Sequence, residues 1–339
     1  MKTVFELFLA EEGRGHSAAW AMLKAPAAPW AVRDAVEKAQ IREGHPVFIE
    51  IQKYAPDLEF LRPYMGPERD LSGLYALNAV ARLLSGMDPA QYPALSERLQ
   101  ENAAENSGPV SPARLYDLAA SKTVFHTLGL PCASMDYTVL LELRAAVGDG
   151  EPVLLKLPAT ENQLRAAASK LGTEDAEGIR FRCVDCKVPG LTEAIETAED
   201  CRTVNKAAKL LDTAPPKTLL KFKAALEALG IASLAEAMAL YGSLDEYALE
   251  PNVHCAEDAA RWELRFLLDP RVAEKLIPHV NLPAFGQIVI EDYGLMLTGY
   301  GAVSQIKEDR RQETVRAAQK GQLLEDHPPV PSEEHQPIP

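Results

Sequence analysis

Leu23-Lys24-Ala25-Pro26-Ala27 and Leu155-Lys156-Leu157-Pro158-Ala159 decide the reading of the fold. They stand 132 residues apart, and holding that offset without a gap over residues 5–51 aligns more than the motif. Phe5, Leu7 and Leu9 meet Tyr137, Val139 and Leu141, the alternating positions of a half-buried strand. Met22 and Leu23 meet Leu154 and Leu155, a second strand. Residues 29–39 meet 161–171, a helix-like stretch with Arg33/Arg165 and Lys38/Lys170 in common. Val47, Ile49 and Ile51 meet Ile179, Phe181 and Cys183, a third alternating strand. Each stretch reads strand, long polar loop, strand, helix, strand.

The match resumes at an offset of 127, where Asn78, Ala81, Leu83 and Leu84 meet Asn205, Ala208, Leu210 and Leu211. Apolar residues at i, i+3, i+4 and i+7 predict amphipathic helices there. Pro89 and Pro216 mark the first turn of the next helix, where a missing N–H is harmless. Further helices are expected at 112–127 and 233–241. Residues 256–301 have no counterpart and read as helices at 256–268 and 270–280, then an apolar strand at 287–292. A charged helical segment to about residue 324 and a proline-rich, disordered tail close the chain. The expected fold class is α+β: a duplicated small antiparallel-sheet-plus-helix unit, each copy followed by a helical bundle, in an elongated multi-domain arrangement. The segments are 1–70, 71–136, 137–200, 201–254, 255–303 and 304–339.

A chain of 339 residues with 47% apolar composition can bury a core, which excludes wholesale disorder. Its 49 acidic residues outnumber 35 basic ones, for a net charge of -14. That sign opposes direct nucleic-acid binding, which needs Lys and Arg on phosphates, and suits a partner with a basic groove. No run of about 18 apolar residues is present, and Glu6 interrupts the short apolar stretch 4–10, so neither a membrane span nor a signal peptide is expected. The expected setting is the cytoplasm, with Cys132, Cys183, Cys186, Cys201 and Cys255 reduced.

A search for chemistry finds no P-loop, no G-x-G-x-x-G after a strand, no G-x-S-x-G elbow and no H-E-x-x-H. Gly13-Arg14-Gly15-His16 reads as a strand-to-strand loop, because the second stretch has no matching glycines. Cys183-x-x-Cys186, joined by Cys201, His254 and Cys255, has the donors for zinc. Redox use is a second alternative. Ile51 and Tyr54 stand at the corresponding positions of the first stretch, so the thiols read better as packing residues. No catalytic residue, metal or cofactor is expected. Residues 137–200 hold twelve Asp/Glu against seven Lys/Arg, densest at 174–177 and 193–200.

The strand–L-K-x-P–helix–strand unit followed by L-N-x-x-A-x-x-L resembles the ArdA antirestriction family. The elements that carry the resemblance are Val153 to Thr160, the helix at 161–171, the strand at 179–185, Val204 to Leu211, and the close from Phe285-Gly286 to Tyr300-Gly301. It is best over 137–303, with 1–130 similar to a diverged partial copy. The resemblance implies a non-enzymatic protein of a plasmid, phage or conjugative transposon. Family members are acidic, usually dimeric mimics of B-DNA that occupy the DNA groove of type I restriction–modification enzymes. The family's third strand commonly ends in D-Y-E; Asp185-Cys186-Lys187 keeps the Asp and Lys53-Tyr54-Ala55 keeps the Tyr. By position, the expected phosphate stand-ins are Glu174, Asp175, Glu177, Asp185, Glu193, Glu196, Glu199 and Asp200. B-DNA carries one charge per roughly 1.7 Å, so imitating about 40 Å takes on the order of two dozen carboxylates on one face. The competing class is a protein–protein adaptor of a mobile element that keeps the fold without the mimicry.

Overall fold

Alternation shapes the first unit: Phe5, Leu7 and Leu9 are fully buried, while Phe8 between them is only partly covered. The computed structural model describes residues 2–13, 19–42, 44–121, 135–145, 151–173 and 179–306. Over them the protein is α+β, with three small antiparallel sheets. Strands β1 (Phe5–Glu11), β2 (Trp20–Ala25) and β3 (Val47–Tyr54) form a sheet of order β2-β1-β3, with helix α1 (Pro29–Lys38) between β2 and β3. Helices α2 (Leu71–Ser85), α3 (Tyr92–Glu105) and α4 (Pro112–Ala120) follow. One buried core runs from Val4 to Ala119 and takes in both sheet and helices.

The second unit has the same order. Strands β4 (Val139–Ala145), β5 (Val153–Leu157) and β6 (Ile179–Cys186) pair as β5-β4-β6, with α5 (Glu161–Lys170) between β5 and β6. Thr160 and Gln163 build a capping box at the start of α5, which explains where that helix begins. Then come α6 (Thr192–Ile195), α7 (Cys201–Asp212), α8 (Pro216–Leu229) and α9 (Leu234–Gly242), over a core from Val139 to Leu244. Both central strands carry a register shift at the same level, between Glu6 and Leu7 and between Leu140 and Leu141.

The ladders correct the alignment of the first strand. Opposite Leu23 stands Leu7, and opposite Leu155 stands Leu141, so Leu7 corresponds to Leu141, not to Val139. The connection after the first strand is two residues shorter in the second unit. A slip of two leaves every side chain on its own face, so the hydrophobic pattern cannot reveal it. Lys24 and Lys156 do fall at the same level, opposite Glu6 and Leu140.

The two motif fragments prove to be halves of one contact. The peptide bonds before Pro26 and Pro158 are cis. The next residue pairs with the helix asparagine as one peptide group pairs with another. Ala159 N–H donates to Asn205 Oδ1 at 2.8 Å, and Asn205 Nδ2 donates to the Ala159 carbonyl at 2.9 Å. Ala27 and Asn78 repeat this at 2.7 and 3.0 Å, with Arg82 adding a third bond to the Ala27 carbonyl at 3.1 Å. Each asparagine thereby ties a helix that follows the sheet, α2 or α7, to the turn that opens α1 or α5.

The C-terminal part corrects another expectation. Residues 287–292 lie inside helix α12 (Leu282–Tyr293), not in a strand. Asn281 caps it, Pro283 opens it and Gly294 ends it in the left-handed region. The β-branched residues Ile288, Val289 and Ile290 read locally as a strand, but packing against α10 (Ala256–Leu267) overrides that propensity. Gly286 makes the approach possible, since a Cβ there would lie 1.6 Å from the Ala256 carbonyl oxygen. Helix α11 (Pro270–Leu276) lies between the two in sequence, and β7 (Tyr247–Glu250), β8 (Met296–Thr298) and β9 (Gly301–Gln305) form the third sheet, of order β7-β9-β8. The helix expected at 112–127 ends at Ala120, where Ser121 turns into the left-handed region; residues 122–127 and the segment after residue 306 lie outside the described residues.

Asn205 is buried, so Asn205→Ala orphans a backbone donor and acceptor and should destabilise the protein by about 3 kcal/mol in urea unfolding. Asn78→Ala should have the smaller effect, because Asn78 is half-buried and Arg82 still serves the Ala27 carbonyl. Equal and negligible losses would show that these contacts do not hold the helices.

Candidate functional site

The acidic residues singled out from the sequence fall into three groups. Glu174, Asp175 and Glu177 lie outside the described residues. Glu193, Glu196 and Glu199 are exposed on the short segment around α6, which is anchored from below by Leu191, Ala194 and Ile195. Thr197 fixes this segment twice, donating to the Ala194 carbonyl at 2.7 Å and accepting from Leu234 N–H at 3.2 Å. Glu196 also accepts from Cys183 N–H at 3.2 Å. Asp200 caps α7 by accepting from Thr203 N–H at 2.7 Å, so its charge serves the helix N-terminus as well as the surface.

Asp185 forms the third group and corrects its assignment. It is only 4% exposed, and its carboxylate faces the first unit, not solvent. Tyr137 OH donates to Oδ2 at 2.8 Å, Trp30 N–H to the same oxygen at 3.1 Å, and Cys186 N–H to Oδ1 at 3.0 Å. Helix α1 has Ala28 at its N-cap and no side-chain cap of its own. Asp185 supplies that cap from the other unit, across 155 residues of sequence. Trp30 completes the joint through Nε1, which donates to the Tyr137 carbonyl at 3.0 Å. Burial pushes the Asp185 carboxyl up, while the bonds from Tyr137, Trp30 and Cys186 pull against that rise.

The other face of α1 meets a second joint that the sequence analysis missed. Lys223 of α8 reaches Asp34 Oδ1 at 2.8 Å and Glu37 Oε2 at 2.5 Å. Lys223 is 9% exposed and Asp34 6%, so this ion pair is desolvated. Tyr300, in the turn between β8 and β9, donates its OH to Asp34 Oδ2 at 2.8 Å. Lys38 lies over the Tyr300 ring at 4.6 Å and pairs with Glu227 at 2.8 Å. Gln40 contacts the Pro251 carbonyl and the His254 ring. Hydrophobic periodicity carries no signal for buried charges, so Asp34 and Lys223 could not be picked out.

The thiols behave as packing groups. Cys183 and Cys186 are buried in the second core, and burial pushes the Cys183 thiol up to about 12 and Cys186 also upward. A thiol so held is a poor nucleophile and a poor metal ligand. Among the described residues no group of three or more His, Cys, Asp or Glu stands together at metal-binding distance, so Cys183, Cys186, Cys201, His254 and Cys255 are not brought into one shell. An open groove of about 940 Å³ lies between the edge of the first sheet and the C-terminal helices. Trp20, His254, Asp258, Arg261 and Pro283 are among its walls. Among the described residues no helix is long and apolar enough to cross a membrane. Comparison with known protein families, with curated proteins and with solved structures finds no match to this chain.

Asp185→Ala should lower the unfolding free energy by about 2–3 kcal/mol, since it uncaps α1 and leaves buried donors unmet. Chemical denaturation checks this, and an unchanged stability would return Asp185 to the list of surface carboxylates.

Proposed function

We propose that this chain is a non-enzymatic antirestriction protein of a mobile genetic element, built from two copies of an ArdA-like module. In this reading it occupies the DNA groove of a type I restriction–modification enzyme, with carboxylates standing where phosphates would. The observation that carries it is the paired contact between L-K-x-P-A and the helix asparagine, present twice in a chain of net charge -14. The motif fragments behind the family resemblance thus act as one structural device, in two units of identical strand order. The exposed Glu193, Glu196 and Glu199 are the carboxylates best placed to meet a basic groove. Binding would release the counterions that DNA itself releases from such a groove, and would weaken steeply as salt rises.

The adaptor reading is the alternative, and one observation favours it. Among the described residues the outer face of the second sheet presents Arg144, Arg180 and Arg182 around one carboxylate, Glu142, so the acidic excess is not uniform over them.

Restriction and methylation by a purified type I enzyme, assayed with this protein added, separate the two. Mimicry predicts inhibition of both activities, lost steeply with added salt. Reversing Glu193, Glu196 and Glu199 together to Lys should weaken inhibition by at least tenfold, and any one reversal by little, because exposed pairs contribute about 0.2–1 kcal/mol each. Absence of inhibition at low salt supports the adaptor.

A further inference from the structure

The ladders set the outward residues of the two sheets level with one another, and the two faces differ in kind. Phe8, Met22 and Glu50 of the first sheet stand where Glu142, Leu154 and Arg182 stand in the second. Ala10 and Phe48 stand where Arg144 and Arg180 stand. One frame therefore carries rings and the other carries guanidinium groups.

The ring-bearing face departs from what a solvated sheet face requires. An antiparallel sheet with one side on the core normally turns polar residues outward. Here Trp20 is 55% exposed and Met22 44%. Phe8 stacks on Trp20 with centroids 6.0 Å apart and meets Phe48 edge-on at 6.4 Å. The platform already accepts a guanidinium at its rim, since Arg69 lies 5.5 Å from the Phe48 centroid.

The second face carries the complementary excess. Arg144 and Arg180 are direct cross-strand partners, and like charges placed so repel one another. Among the described residues Glu142 is the one carboxylate paired with them on this face, engaged by Arg144 at 2.9 Å and Arg182 at 3.0 Å. The three arginines line a shallow depression of about 320 Å³, and Leu154 beside them is 63% exposed. Trp20, Met22 and Glu50 on the first face, and Arg144, Leu154, Arg180 and Arg182 on the second, are exposed.

We propose that the protein self-associates head to tail, the arginine face of the second sheet in one copy docking on the Phe8–Trp20–Phe48 platform of the next. Guanidinium groups over aromatic rings are attractive, most so where water is excluded, and Leu154 meets Met22 as the apolar part of the contact. Strand spacing is common to both sheets, so rings and guanidinium groups step at the same interval of about 4.8 Å. Three strands by three outward rows give only a few hundred Å² per face, which makes the association weak and concentration-dependent. A contact between two different faces does not close on itself as a two-fold dimer does, so it extends to chains of copies.

Sedimentation velocity of the full chain up to millimolar concentration tests this. The average mass should rise beyond that of two copies. Trp20→Ala, at an exposed site, and Arg180→Glu, also exposed, should each leave the protein folded by circular dichroism and monomeric at every concentration. Mixing the two variants should restore association but stop it at two copies, because one intact platform meets one intact arginine face and no more. A wild-type protein that stays monomeric overturns the proposal. So does association that survives both substitutions, or a mixture that stays monomeric.

Discussion

The carboxylate of Asp34 is the point at which the three parts of this molecule meet. It belongs to α1 of the first unit, receives Lys223 from the second and Tyr300 from the C-terminal sheet, and is almost wholly removed from water. Burial alone would push Lys223 down, but Asp34 and Glu37 outweigh it and raise its affinity for the proton; burial and Asp34 together push Tyr300 up. Such a cluster stabilises little against a well-packed apolar substitute, and loses much when one member is removed. It therefore acts mainly to specify how α1 sits. Asp185 does the same at the other end of that helix, capping it from the second unit. With both ends held by other parts of the chain, α1 sets the position of the first sheet relative to everything else.

That constraint bears on the proposed function. A surface that stands in for DNA has to hold carboxylates at fixed separations before it meets its target, because ordering them on binding costs free energy. Glu193, Glu196 and Glu199 meet this requirement by sitting over a buried anchor of Leu191, Ala194 and Ile195. Asp185 has the opposite role: an acidic residue at the end of the third strand is used inside the molecule, to position a helix.

Much of the fold was legible because its cause is local. Period-two alternation identified the first and third strands of each unit, the repeated L-K-x-P motif located the second, and the asparagine spacing pointed to the helices that the L-K-x-P turns engage. What was not legible has equally definite causes. The two-residue slip of the first strand is silent because it preserves facing. The stretch 287–292 reads as a strand locally, and becomes helix only through the approach of α12 to Ala256 at Gly286. Asp185 reads as a surface acid because its partners lie 48 and 155 residues away. Tyr300 and Asp34 are 266 residues apart, a separation that no periodicity spans. Of the acids singled out by position, Glu193, Glu196 and Glu199 are exposed, as phosphate stand-ins would have to be. Asp185 is buried, because long-range packing decides its place.

The claim that α1 is held by a desolvated charge pair across the two units is tested most directly by a double-mutant cycle. Unfolding free energies would be measured for the wild type, Asp34→Asn, Lys223→Met and the double variant in urea. The pair predicts a coupling energy of about 2 kcal/mol or more, each single change being far worse than its share of the double. Effects that add to within about 0.5 kcal/mol would contradict it, and would mean that the units are joined without help from Asp34 and Lys223.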